Sequence, residues 1–272
     1  MRPLRAFAAQ RPSDLAFDGI VFDLDGTVLS DGRLTLPAYE ALHRLKEHGF
    51  RLIACTGRPA GWGEIIARQW PLDLAVAENG AIGFAREGRA VVRIDRLSLA
   101  ERGARRDRLE EAARQLQDEF PDLVLADDNL ARLSDVTFDI GETQTVAQER
   151  VRQVRGRAAE LELRTFTSSI HLHITFDSDD KATGTLRILA QRFGHDPTAA
   201  RLCNAFIGDS ANDAACFAGF RTTFAVANVA HHLESLSVPP RFVSNAEEGQ
   251  GFVEIADRLC AVRNLPGEKA KP

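Results

Sequence analysis

The apolar positions come in short unbroken runs separated by stretches of helical period. Residues 19–24 open with Gly-Ile-Val-Phe, the pattern of a strand buried on both faces. Residues 36–48 place Ala38, Leu42 and Leu45 on one helical face and stop at Gly49. A second strand is predicted over 51–55. Pro59 suits the first turn of a helix running to about Trp70, and 73–77 reads as a third strand. Strand–helix–strand repeats of this length predict a parallel sheet with right-handed crossovers.

The pattern then changes. Residues 81–84 and 90–94 flank Glu87-Gly88 and read as a hairpin. A charged helix is predicted over 97–119, strands near 123–126 and 136–140, a helix over 144–159, and strands over 161–166 and 170–176. After Lys181 the first pattern resumes, with a helix to about Phe193, strands over 203–207, 222–226 and 241–244, and a last helix over 252–262. The predicted class is therefore α/β, a parallel-sheet core of residues 17–82 and 181–265 interrupted by an inserted α+β cap over 83–180. Residues 1–16 are expected as a surface arm and 266–272 as a frayed tail.

Composition changes this picture little. A length of 272 residues with 44% hydrophobic positions suits one large globular domain or two modest ones. A net charge of -5 gives no reason to expect nucleic acid or an acidic membrane surface as partner. The basic run 102–108 is followed at once by Glu110 and Glu111, so it reads as a solvated helix face. No apolar run has the length of a membrane span, and the first residues lack the continuous apolar segment of a signal peptide. A cytoplasmic location is expected. Cys55, Cys203, Cys216 and Cys260 show no zinc-ligand or CxxC spacing and are expected as reduced core thiols. There is no internal repeat, and oligomeric state is left open.

The chemistry collects where predicted strands end. Asp23 and Asp25 lie two apart at the end of the first, with Gly26-Thr27 making the exit turn. Two acids so placed are costly to bury unless a cation and a phosphoryl group partner them. Phosphoryl transfer needs a nucleophile, cations against the equatorial oxygens, and an acid for the leaving group. Asp23 is the nucleophile candidate, and Asp25 is placed to protonate the leaving oxygen and then activate water. Asp209, at another strand end, can complete a Mg²⁺ site with Asp23. Thr56 with Gly57, leading into a helix at Arg58, can hold phosphate oxygens. Lys181 can supply positive charge, and Asp213 can orient Lys181 or a metal-bound water. Taken singly, each has an ordinary reading as a turn, a cap or a surface residue; the order of all four segments is what points to this chemistry.

These segments are Asp23-Leu24-Asp25-Gly26-Thr27, Thr56-Gly57-Arg58, Lys181 and Gly208-Asp209-Ser210-Ala211-Asn212-Asp213. In that order they resemble the four motifs of the haloacid dehalogenase superfamily of phosphohydrolases. The insertion between the second and third motifs, Glu78-Asn79-Gly80-Ala81 before it and Asp180-Lys181 after it are similar to the type IIB subfamily. That group includes Cof-type sugar phosphatases and sucrose-phosphate phosphatase. One departure is Ala214-Ala215-Cys216-Phe217, where members often have Met. The resemblance implies a Rossmann-like core, Asp23 as nucleophile and Asp25 as general acid/base. It further implies Mg²⁺ held by the Asp23 carboxylate, the Asp25 backbone carbonyl and Asp209. Thr56, Gly57, Arg58 and Lys181 would attend the phosphate, with Asn212 near the phosphoryl group or Asp25 and Asn79 near the cap interface. The expected substrate is a small phosphorylated metabolite, a sugar phosphate. Alternatives are a phosphomutase of the same fold and a catalytically weak binding or regulatory protein.

The cap is less specific. His171 and His173 share a strand face and are read as polar groups facing substrate in preference to a zinc pair, there being no third ligand of clear spacing. Ser168 and Ser169 suit either a turn or a sugar contact. Asp177, Asp179 and Asp180 read as a hinge loop delivering Lys181. Trp62, beside Gly61 and Gly63, is placed to reach the cleft, and Trp70 is expected in the core. Asp127, Asp128, Arg132 and Asp139 could read substrate, but a solvated cap surface is the favoured reading for most of them, and the sequence does not rank them.

Overall fold

The computed structural model describes residues 1–7, 17–168 and 170–263. In chain order the strands are β1 (Arg2–Pro3), β2 (Gly19–Phe22), β3 (Leu29–Ser30), β4 (Arg33–Leu34), β5 (Arg51–Cys55), β6 (Leu74–Ala77), β7 (Ile82–Glu87), β8 (Ala90–Ile94), β9 (Val124–Leu125), β10 (Asp135–Asp139), β11 (Arg164–Thr167), β12 (His171–Thr175), β13 (Asn204–Gly208), β14 (Thr222–Ala225) and β15 (Phe242–Val243). The helices are α1 (Leu36–Glu47), α2 (Ala60–Gln69), α3 (Leu99–Glu119), α4 (Gln148–Glu160), α5 (Lys181–Phe193), α6 (Pro197–Leu202), α7 (Ala214–Gly219) and α8 (Glu248–Arg263).

Nine strands form the main sheet in the order β1-β15-β14-β13-β2-β5-β6-β7-β8. From β1 to β6 all neighbours are parallel; β7 and β8 join antiparallel. Strand alternation divides the core between two layers. Ile20 and Phe22 pack with α1, α2 and α8, whereas Val21 and Ile53 pack with α5, α6 and α7. Phe252 of α8 is completely buried against the ring of Phe22 at 5.5 Å, so Phe252→Ala would cost about 3–5 kcal/mol. The cap has its own antiparallel sheet, β11-β12-β10-β9. Val136, Phe138, Leu172 and Ile174 pack beneath α3 and α4. The alternate residues Asp135, Thr137, His171 and His173 therefore occupy the other face.

Several boundaries differ from the sequence expectation. The hairpin over 82–94 pairs with β6 and extends the main sheet, so it belongs to the core and not to an insert beginning at residue 83. Residues 1–7 are not a free arm: β1 adds an edge strand beside β15, and Leu4 is buried in the core. Residues 8–16 and the tail 266–272 lie outside the described residues. The second cap helix starts at Gln148 instead of 144. The Asp139 carboxylate captures the amides of Gly141, Glu142 and Thr143, holding that stretch as a loop. The short α6 and α7 and the hairpin of β3 with β4 were too brief to show a period. No helix among the described residues is long and apolar enough to cross a membrane.

Candidate active site

The parallel pairing of β2, β5 and β13 brings three motifs to one edge. Phe22 is in register with both Ile207 and Ala54, so Asp23, Thr56 and Asp209 leave the sheet at adjacent carboxyl ends. The Asp23 amide donates to the Ile207 carbonyl at 2.9 Å, continuing the ladder to the acid itself. Gly26, with φ +70°, turns the chain back over Asp209; a β-carbon there would lie 2.6 Å from Asp209 Oδ2. Gly208 has a similar role, since its β-carbon would fall 2.3 Å from Asp213 Oδ2.

Lys181 enters from the far side at the first position of α5. Asp180 caps that helix by accepting from the amides of Ala182 and Thr183. The Lys181 ammonium lies 2.9 Å from Asp23 Oδ2, 2.7 Å from Asp213 Oδ1 and 3.0 Å from Asn212 Oδ1. Asp213 uses its other oxygen to accept from the amides of Asp209 and Ser210. With both oxygens engaged, it is a positioning group for Lys181 and the Asp209 turn. Asp209 accepts from Thr27 Oγ1 and from Asn228 Nδ2, each at 2.9 Å.

Carboxylate oxygens of Asp23, Asp209 and Asp213 all lie within 4.8 Å of one another, all buried, against the single ammonium of Lys181. Burial pushes Asp23 well above the usual carboxylate range; Lys181 opposes this, and Asp213, Asp209 and Asp25 reinforce it. Burial, then Asp213, pushes Asp209 up to about 7 against the Thr27 hydrogen bond and Lys181. Burial alone would lower Lys181, but Asp213 and Asp23 more than reverse it. Such an oxygen-only, charge-deficient cluster fits a hard divalent cation such as Mg²⁺.

Asp25 faces a cavity of about 660 Å³ shared by core and cap, lined also by Asp23, Gly57, Arg58, Asp209 and Asn212. Both Asp25 oxygens accept from the Arg58 guanidinium, at 2.6–3.1 Å, and Arg58 lies over the Trp62 ring at 4.1 Å. Arg58 is thus placed on Asp25. Thr56 is fully buried behind the cavity wall, its Oγ1 accepting from the Arg58 amide at 3.1 Å. Asn79 is not in the wall; it sits against Gly57 in a left-handed turn with φ 53°, its amide bonded to the Thr56 carbonyl.

The cap docks through charged residues whose roles were not read from sequence. Glu78, also at positive φ, accepts from the amides of Ala60, Leu133 and Ser134 and from Ser134 Oγ, joining α2 to the cap. Burial, then Asp135, raises Glu78 despite these donors. Arg132 donates to the Gly57 carbonyl, Asp128 and Asp135. Asp128, Arg132, Asp127, Trp62 and Ser168 line the cavity as candidates, whereas Asp139 is used by its own turn; Ser169 lies outside the described residues. His171 and His173 are paired to Glu142 and Asp135, and the cluster of possible metal ligands among the described residues, Asp23, Asp209 and Asp213, does not include them. Asp177 and Asp179 bind Arg102, Arg105 and Arg187 at the crossings between core and cap. Asn228 was missed, although its place just beyond β14 obeys the strand-end rule that found the acids.

Residues 20–102 match a family model described as haloacid dehalogenase-like hydrolase. The Bacillus subtilis protein YxeH, whose name carries a phosphatase assignment, is 37% identical over 68 residues, covering 23% of this chain and 25% of the relative. The match thus spans about a quarter of that protein's length. Among solved structures, a Thermoplasma acidophilum protein has a TM-score of 0.69 at 19% identity, covering 89% of this chain and 98% of its own. The sucrose-phosphatase of Synechocystis, solved with sucrose and phosphate, has a TM-score of 0.60 at 18% identity, covering 89% and 97%. A haloacid dehalogenase-like hydrolase from Bacteroides thetaiotaomicron has a TM-score of 0.63 at 17% identity, covering 89% and 99%. At these identities the structural likenesses establish the fold.

Proposed function

We propose that this chain is a haloacid dehalogenase-like hydrolase, a cytoplasmic Mg²⁺-dependent phosphatase acting on a small sugar phosphate, a reading supported by the match of residues 20–102 and by the shared fold. The observation that carries the reading is Asp23, held at 2.9 Å by Lys181 and grouped with Asp209 at the base of a cavity roofed by the cap.

Asp23 attacks phosphorus while the bond to the leaving oxygen breaks, and Asp25 gives that oxygen a proton. Lys181 offsets charge on the phosphoryl oxygens, and Gly57, which lines the cavity in front of the buried Thr56, presents its backbone to one of them. For Asp25 to act, Arg58 exchanges its carboxylate partner for a phosphate oxygen. Water then attacks the aspartyl phosphate, Asp25 takes its proton, and the Asp23 carboxylate is regenerated. Asp23, Asp209 and the Asp25 carbonyl would hold Mg²⁺, which when bound supplies positive charge to the phosphoryl oxygens. A screen of phosphorylated metabolites should show phosphate release that a chelator silences. Full release in excess chelator, or none from any phosphoester, contradicts the reading.

A further inference from the structure

Among the described residues, the cavity lining holds no arginine or lysine beyond Arg58 and Arg132. Arg132 is paired with Asp128 and Asp135 and donates to Gly57, while Arg58 is paired with Asp25 and, on the proposed mechanism, passes from it to the transferred phosphate. Lys181 belongs to Asp23 and Asp213 below. The carboxylates on the cap wall are Asp128, paired to Arg132, Glu142, paired to His171, and Asp127. A second phosphate or a carboxylate on the substrate would leave water here beside like charges, without a cation to meet it.

One group on this wall is instead built to receive a hydroxyl. His173 lines the cavity while only 4% exposed. Its Nδ1 lies 2.8 Å from Asp135 Oδ2, and a carboxylate accepts, so this hydrogen bond assigns the proton to Nδ1. Asp135 is fixed in turn by Arg132 at 3.2 Å. The imidazole is thereby locked from behind. Its Nε2 has no partner among the described residues. In the neutral ring that atom is an acceptor, and leaving it unmet in a closed site costs free energy.

Building on the phosphatase reading, we propose that His173 Nε2 accepts a hydrogen bond from a hydroxyl of the leaving group. The substrates are then singly phosphorylated, otherwise uncharged polyols. The Arg132–Asp135–His173 relay sets the ring's position, and the same Arg132 ties the relay to the phosphate loop through Gly57.

The test compares kcat/KM for an aldohexose monophosphate, its bisphosphate and p-nitrophenyl phosphate, in the wild type, His173→Ala and His173→Gln. The wild type should prefer the monophosphate to the bisphosphate by about tenfold or more. In His173→Ala the monophosphate-to-aryl ratio should fall about 10–10²-fold, mainly through KM, as expected for losing one buried hydrogen bond. Gln, which can place an amide oxygen near Nε2, should recover part of that ratio. An unmoved ratio with aryl phosphate still hydrolysed overturns the role of His173 and leaves the phosphatase reading standing. Equal turnover of bisphosphate and monophosphate overturns the substrate class. Failure of the wild type on all three overturns both.

Discussion

The floor and the roof of the cavity are both polar, both buried, and organised on opposite principles. In the floor, three carboxylates crowd one ammonium, and Asp23 and Asp209 are pushed above their ordinary range. In the roof, charges are matched: Asp135 sits between Arg132 and His173, and burial is outweighed so that its carboxyl is held down at about 2. A floor left short of positive charge fits a cation and a phosphoryl group, whereas around Asp135 the roof offers paired hydrogen-bonding groups. The two are joined where Glu78 and the Gly57 carbonyl meet residues 132–134 of the cap.

Replacing the attacking group should break the floor most completely. Asp23→Asn should lower turnover by about 10⁴-fold or more while thermal unfolding stays cooperative. Near-wild-type activity in that variant removes Asp23 from the chemistry. Asp25→Asn should be next in size. A sugar alkoxide needs a proton as it leaves, so rapid-quench phosphorylation by a sugar phosphate should slow by about 10²–10⁴-fold. A nitrophenolate leaves without that help, and its first step should suffer far less. Equal losses would make Asp25 a structural partner of Arg58 only.

The metal prediction follows from the raised acids. Below the Asp209 value of about 7 its carboxyl is largely protonated in the free protein, so Mg²⁺ must displace the proton. Asp23, the other carboxylate ligand, is raised as well, so affinity should rise with pH by about tenfold per unit for each proton displaced, with proton uptake by buffer detectable in calorimetry. Asp209→Ala should weaken binding and make its pH dependence shallower, and pH-independent affinity in the wild type contradicts the assignment.

The roof carries a pKa shift of the opposite sign. Asp135 lies below its unfolded value, so its contribution is complete above about pH 4 and is lost as pH falls toward 2. That amounts to roughly 2 kcal/mol, and urea unfolding of Asp135→Asn should show a flatter pH dependence in that window. An unchanged profile would show that Arg132 and His173 do not hold the acid ionised.

This contrast also explains what could be read beforehand. The floor was legible because its groups lie at strand ends, where four short segments in order define one site. Asn228 obeys the same geometry, but a single amide in an apolar-rich stretch carries no pattern. The alternation His171-Leu172-His173-Ile174 marked one polar strand face. What that face meets depends on Asp135, Arg132 and Glu78, which are distant in sequence and coupled only by docking. The hairpin over 82–94 was misassigned for a related reason: local pattern reveals a hairpin but not which sheet it joins.

On the proposed reading, the floor carries the phosphoryl group covalently on Asp23 while the roof only selects who delivers it. The most direct test of that reading is acid quenching of the wild-type protein during turnover of a sugar phosphate and of an aryl phosphate, followed by peptide mass spectrometry. The account predicts one acyl phosphate, on the peptide containing Asp23, identical for both substrates and absent in Asp23→Asn. Steady phosphate release with no phosphorylated Asp23 peptide from either substrate, under quench conditions that preserve an acyl phosphate standard, would contradict it.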